Sequence, residues 1–296
     1  MYYILIFFSR VFLKISKILQ SFSIYFESNN SHKKAVIDST RKYNMHSSLN
    51  EKYYLDQYWR FIEPHLEDLQ KQVTVYDLGC GQGRFSFKLA DHFNEGKIYS
   101  CDLSKYAIEY AKDFASKNNY SDRINFENQE IFDFVNQHKT NSAELIIITE
   151  VLFYYPNWQV DIDKILALLK PGGKVCISFR SQYYNLLNTL QMSDTSKLQM
   201  IINERQGKLF NGIGTFTWNT SDEIKQLIKS KQLILESLYG IGNLSGIKGD
   251  PNNNICEPSN LTNEEQKKLM EAELYLGKDI LDSGRYILAI AKKPYD

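Results

Sequence analysis

Val73-Thr-Val-Tyr-Asp77-Leu-Gly79-Cys80-Gly81-Gln82-Gly83-Arg84-Phe85 is the stretch on which the fold turns. A short apolar run stops at an acid, and glycines follow at alternate positions. Phe85, Leu89, Ala90 and Phe93 then continue at helical spacing. The pattern predicts a strand, a glycine turn and a helix. Glycine lets the backbone bend sharply and approach a ligand closely. Asp77 beside that turn would repel a pyrophosphate and attract a cation.

Four further segments repeat the strand-then-loop pattern in order. They are Lys97–Ser104, Ile124–Glu130, Ala143–Tyr155 and Leu169–Ser178, the last opening on Lys170-Pro171-Gly172-Gly173. Helices are expected near 83–93, 104–118, 130–138 and 158–170, with Ser104 as an N-cap. The last should bury Trp158, Ile162, Ile165, Leu166 and Leu169. Such alternation with short loops predicts a parallel sheet covered on both faces. Ligands in these sheets sit beyond the carboxyl ends of the strands, where Asp77, Asp102 and Glu150 all fall.

Taken together, these segments resemble the Rossmann-like S-adenosylmethionine (SAM)-dependent methyltransferases, class I, of the small-molecule type. The resemblance implies an α/β fold with a seven-stranded, mostly parallel sheet, its last strand (Arg285–Lys292) antiparallel beside the fifth. It implies that Asp77, Gly79, Cys80, Gly81, Gly83, Asp102, Leu103 and Glu150 contact SAM. Asp102 would hold the ribose hydroxyls. Glu130 would meet the adenine amino group, where the family more often has Asp.

A nicotinamide or flavin site is the competing reading. Its fingerprint is G-x-G-x-x-G with an acid about 20 residues later. Gly79, Gly81 and Asp102 satisfy part of it, but the third glycine is Gly83 and Arg84 follows. A large side chain there would crowd a pyrophosphate, and Asp77 would repel one. The positive sulfonium and amino group of SAM suit these carboxylates better.

Charge argues against nucleic acid as the partner. The 296 residues carry 35 basic and 35 acidic side chains, with no Lys/Arg block longer than two. Cys80, Cys101, Cys176 and Cys256 form no C-x-x-C pair and no Cys/His cluster with metal spacing. Reduced thiols, a cytoplasmic location and no metal are expected.

The chain divides into a helical N-terminal extension, 1–70, and a methyltransferase domain, 71–296, with lid insertions at 181–219 and 241–283. Residues 1–26 read as an amphipathic helix with Arg10, Lys14 and Lys17 on one face. Its apolar face either packs on the domain or on a second copy, or lies peripherally on a membrane. Residues 33–69 are helical and aromatic-rich. By resemblance they cover the cofactor, which makes His46 and the Tyr53–Trp59 run candidate pocket groups. After 181, helical spacing runs from Leu186 to Ile202. Capping boxes at Thr220–Glu223 and Thr262–Glu265 open two more helices, a strand lies near Leu233–Tyr239, and 240–258 is irregular.

Methyl transfer from a sulfonium is a direct displacement, so the enzyme's main task is alignment. A neutral amine needs no base, whereas an alcohol does. His46 is the base candidate from the lid. Glu150, at the exit of the fourth strand, either contacts donor or acceptor, acts as base, caps the next helix or pairs with a nearby Arg. Tyr154 walls the methyl or bonds the acceptor. The exit Glu150-Val-Leu-Phe-Tyr154-Tyr155 is loosely similar to that of nodulation-type N-methyltransferases. The Asn-Pro-Pro-Tyr exit of nucleobase methyltransferases is absent. Transfer to an oxygen or nitrogen of a small or medium-sized metabolite is therefore expected. A non-catalytic SAM-binding partner or a nicotinamide oxidoreductase remain as alternatives.

Overall fold

The computed structural model describes residues 46–155, 157–209 and 215–295. The expected amphipathic helix at 1–26 and the start of the 33–69 region lie outside these residues.

Seven strands form one sheet in the order β3-β2-β1-β4-β5-β9-β8. They are β1 (Thr74–Leu78), β2 (Lys97–Asp102), β3 (Ile124–Asn128), β4 (Ala143–Ile148), β5 (Leu169–Arg180), β8 (Ile234–Ile241) and β9 (Tyr286–Lys292). Pairing is parallel from β3 to β5. β9 runs antiparallel to both β5 and β8, as the resemblance implied. A separate ribbon pairs β6 (Gln206–Gly207) with β7 (Phe216–Thr217).

Side-chain alternation along the strands sorts the core into two halves. Val75, Ile98, Leu145, Ile147, Leu288 and Ile290 face one side. There they meet α1 (Leu49–Ile62), α2 (Arg84–His92) and α3 (Lys105–Lys117). Tyr76, Leu78, Ile146, Ile148, Ile177 and Ala289 face the other. There they meet α4 (Ile131–Gln137), α5 (Trp158–Leu166) and α8 (Ser221–Ser230). The three helices α6 (Gln182–Gln191), α7 (Leu198–Asn203) and α9 (Asn263–Asp279) complete the described α-helices.

Local chemistry sets the helix starts. Ser104 caps α3 by accepting from Ala107 N, and both predicted capping boxes form, at α8 and α9. α5 is shorter than expected. It ends at Leu166, and Leu169 belongs to β5 instead, where a register shift around Ala143 and Leu145 absorbs Pro171-Gly172-Gly173. The expected helix over 186–202 is two helices broken at Met192.

α1 is fixed by what it buries. Tyr53, Tyr54, Tyr58, Trp59, Phe61 and Ile62 all enter the core, and Pro64 sits in the 3-10 turn Glu63–His65 that follows. Gln57 donates to Glu273 of α9 at 3.3 Å. Glu273, fully buried, also accepts from Asn243 N, Leu244 N and Ser245 Oγ. This carboxylate ties α9, α1 and the loop after β8 into one wall above the sheet's carboxyl edge.

Candidate active site

A cavity of about 490 Å³ opens at that edge. Its floor comes from the ends of β1, β2 and β4 and the turns that follow them. Its roof comes from Ser48, Asn50 and Glu51 at the start of α1 and from Ile247, Lys248 and Glu257 in the loop after β8. Asn50 holds the two roof pieces together. Its Nδ2 donates to Glu257 Oε1 at 2.9 Å, and its Oδ1 accepts from Ser259 N at 2.9 Å.

The glycine turn is pinned to β2: Gly79 N and Cys80 N both donate to Cys101 O, at 2.8 and 3.0 Å. Gly81 has φ +55°, and a Cβ built there would meet nothing within 4 Å because it faces the cavity. Gly83 works differently. With φ +86° it starts α2, and a Cβ there would lie 2.6 Å from Phe87. Gly83 therefore serves helix packing, and it does not line the cavity.

Asp77 and Asp102 line the acidic end, beside Leu103 and Cys80. Asp77 is buried and accepts from Ser86 Oγ at 2.6 Å. Burial pushes its carboxyl up to about 7, against the opposing pull of the Ser86 hydroxyl. Asp102 accepts from Gly81 N and from Ser104 N, each at 2.8 Å. Burial raises it as well, while these backbone donors pull it down. One bond per oxygen leaves each with a further lone pair.

Glu150 lies at the exit of β4 with φ +60°, a strained conformation for a glutamate. Its amide donates to Ser178 Oγ at 2.6 Å, and Arg84 Nη2 donates to its Oε1 at 3.2 Å. Arg84 also pairs with Glu51 at 3.0 Å, so one guanidinium joins α1, α2 and the β4 exit. Burial would raise the Glu150 carboxyl, but Arg84, Arg285 and Arg180 outweigh it and hold it below its ordinary range. Tyr154 and Tyr155 also face the cavity. Burial raises both phenols, which stay protonated.

Several expected residues lie elsewhere. His46 does not line the cavity. Its ring stacks on Phe114 at 4.2 Å and Tyr110 at 5.4 Å, and its Nε2 lies 3.2 Å from Gln82 O. The Tyr53–Trp59 run packs mostly inward. Glu130 stands just before α4 and is not a lining residue, whereas its neighbour Ile131 is. No described residue of 181–219 lines the cavity; Phe216 packs behind Phe153 and Tyr154. Arg84, Arg285 and Tyr286 do line it and were not expected to. The antiparallel course of β9 was the available signal, because it brings that strand's first residues to the site edge.

Residues 69–234, more than half of the chain, match the family described as the methyltransferase domain. The chain belongs to the class I SAM-dependent methyltransferases. Among its relatives is malonyl-[acyl-carrier protein] O-methyltransferase 1 of Ilyobacter polytropus, 25% identical over 248 residues, or 79% of this chain and 86% of the relative. The yeast (Saccharomyces cerevisiae) tRNA(Thr) (cytosine(32)-N(3))-methyltransferase is 29% identical over 203 residues, 64% of this chain but only 31% of the yeast protein. In fold the enzyme is similar to geranyl diphosphate C-methyltransferase from Streptomyces coelicolor, solved with Mg2+, geranyl diphosphate and S-adenosylhomocysteine. The TM-score is 0.52 at 14% identity, covering 80% of this chain and 79% of the other. Membership removes both the nicotinamide oxidoreductase and the non-catalytic alternatives. It leaves the acceptor open, since these relatives include tRNA and small-molecule enzymes. Among the described residues no helix is long and apolar enough to cross a membrane, and no three His, Cys, Asp or Glu side chains gather as a metal site.

Proposed function

We propose that the enzyme methylates an oxygen or nitrogen of a small or medium-sized metabolite. The observation that carries this is the roofed cavity, whose volume of about 490 Å³ lies within the range of ~300–1,000 Å³ typical of small-molecule sites. Donor and acceptor share that space, which favours a compact acceptor over a folded nucleic acid.

The acidic end fits SAM. Gly81 leaves open room where any side chain would intrude, and Asp77 and Asp102 suit a cationic nucleoside. In this reading Asp102 accepts from the ribose hydroxyls, Asp77 faces the positive charge, and Gly79, Cys80 and Leu103 contact the nucleoside. When bound, SAM supplies a methyl group on a sulfonium. The chain's part is to hold the acceptor's lone pair in line with the carbon–sulfur bond, whose electron pair leaves with sulfur. Glu150, ionised and paired with Arg84, serves as an electrostatic and positioning group rather than a strong base. Tyr154 bounds the acceptor space.

Melting shifts at equal ligand concentration test the donor. SAM and S-adenosylhomocysteine should each raise the melting temperature and NAD(H) should not. A shift with NAD(H) alone would refute this reading. Transfer of label from SAM into a metabolite extract, with tRNA tested in parallel, separates the acceptor classes.

A further inference from the structure

The donor assignment above leaves one end of the cavity for the acceptor. Along the sheet's carboxyl edge come Asp102 on β2, Asp77 on β1, Glu150 after β4, Arg180 ending β5, then Arg285 and Tyr286 at the start of β9. Neighbouring strands lie ~4.8 Å apart, so four strand steps place the Arg285 end roughly 19 Å from Asp102. The edge is acidic at one end and guanidinium-rich at the other.

The bonding there is incomplete: Tyr184 OH, beneath Arg180, is buried with no partner, as are two nitrogen donors. Arg285 Nη1 pairs with Asp250 at 3.2 Å, but its Nε is buried with no partner. Arg180 is only 8% exposed, and no carboxylate among the described residues forms an ion pair with it. Its guanidinium lies over the rings of Tyr184, Phe153 and Tyr286. Its Nε donates to Asn185 Oδ1 at 3.1 Å, which turns Asn185 Nδ2 the other way, where it too is buried with no partner. Both orphaned nitrogens are donors packed behind the cavity wall, so the wall carries an excess of donors, and Arg285 and Tyr286 are its members that line the cavity. A buried guanidinium without a paired counter-charge is costly in free energy. Arg180 Nη1 also donates to the Tyr286 hydroxyl at 3.4 Å, and that phenol lines the cavity. Because the phenol oxygen already accepts, its own proton is left to donate inward.

We propose that the acceptor is a carboxylic acid whose carboxylate is seated by Arg285 and Tyr286, with Arg180 behind Tyr286 as a positioning residue. The proposal rests on the donor assignment above. The rest of the lining agrees with it. Among the described residues no imidazole lines the cavity, and Glu150 is held in its weakly basic form, whereas a carboxylate arrives already deprotonated. A guanidinium donor with a phenol donor beside it makes a charge-assisted carboxylate seat.

The probes are succinate, benzoate and hexanoate, each beside its amide, added to protein saturated with S-adenosylhomocysteine. At least one acid should raise the melting temperature further, and the amides should not. Arg285→Gln should weaken that acid about ten- to a hundredfold, as expected for a lost charge-assisted bond. Tyr286→Phe removes one hydroxyl and keeps the ring, and it should weaken the acid less. In both variants the shift from S-adenosylhomocysteine alone should persist. If no acid shifts the loaded wild-type protein, or both variants bind the acid as wild type does, the assignment is wrong. Loss of the S-adenosylhomocysteine shift itself would instead refute the donor reading.

Discussion

At the residue scale, Asp102 is the side chain whose role can be isolated most cleanly. Each of its oxygens is already held by a backbone donor, Gly81 N or Ser104 N, so the carboxylate is aimed before any ligand arrives. Asp102→Ala should therefore weaken SAM by about 1–3 kcal/mol, the size of charge-assisted hydrogen bonds lost. Calorimetric titration with S-adenosylhomocysteine reads this directly. An unchanged dissociation constant would take Asp102 out of the site. His46 shows the opposite situation. Its place ahead of α1 suggested a base, yet the ring is wedged against Phe114 and Tyr110, and desolvation lowers its pKa. It clamps the chain onto α3 and covers the backbone of the glycine turn at Gln82.

At the scale of elements, the acidic half of the cavity was legible because its residues are neighbours in sequence. Asp77, Gly79 and Gly81 lie on one turn, and Asp102 ends the very next strand. The other half was not. Arg285 and Tyr286 stand near the far end of the sequence, and only the antiparallel entry of β9 beside β5 brings them to the same edge. The end of α5 was missed for a different reason. Periodicity is no guide there, since Ile165, Leu166, Leu168 and Leu169 are all buried and a wholly apolar run has no face to read. Arg84 was read only as an obstacle to a pyrophosphate, whereas it fastens α1 to the β4 exit through Glu51 and Glu150. The core of α1 is held separately by Tyr58, Trp59 and Ile62. Glu51→Gln should therefore cost less than about 1 kcal/mol of global stability. It should, however, speed amide exchange in the first turn of α1 and hasten release of SAM. Hydrogen exchange and stopped-flow dissociation measure the two effects. Unchanged values for both would mean that the ion pair does not govern the mouth.

At the scale of the whole molecule, the site is paid for in stability, and Asp77 shows how. Its carboxyl titrates near 7 in the folded chain against an ordinary value of 3.8. Between these values the folded state binds more protons than the unfolded one, so Asp77 makes stability fall as pH rises from about 4 to about 7. Above 7 the cost is complete, on the order of 4 kcal/mol for a shift of this size. Asp77→Asn keeps an acceptor for Ser86 and removes the titration. The variant should melt well above wild type at pH 8, and the gap should shrink steadily toward pH 4.5. Binding should carry the opposite signature. A cationic donor favours the ionised carboxylate, so SAM affinity should rise up to about tenfold per pH unit from 5 toward 7, where the donor's own amino group stays protonated. In Asp77→Asn that slope should vanish and affinity should be low throughout. A variant that gains stability at pH 8 yet keeps the wild-type pH profile for SAM would show that Asp77 is a buried structural acid and that the cation is held elsewhere.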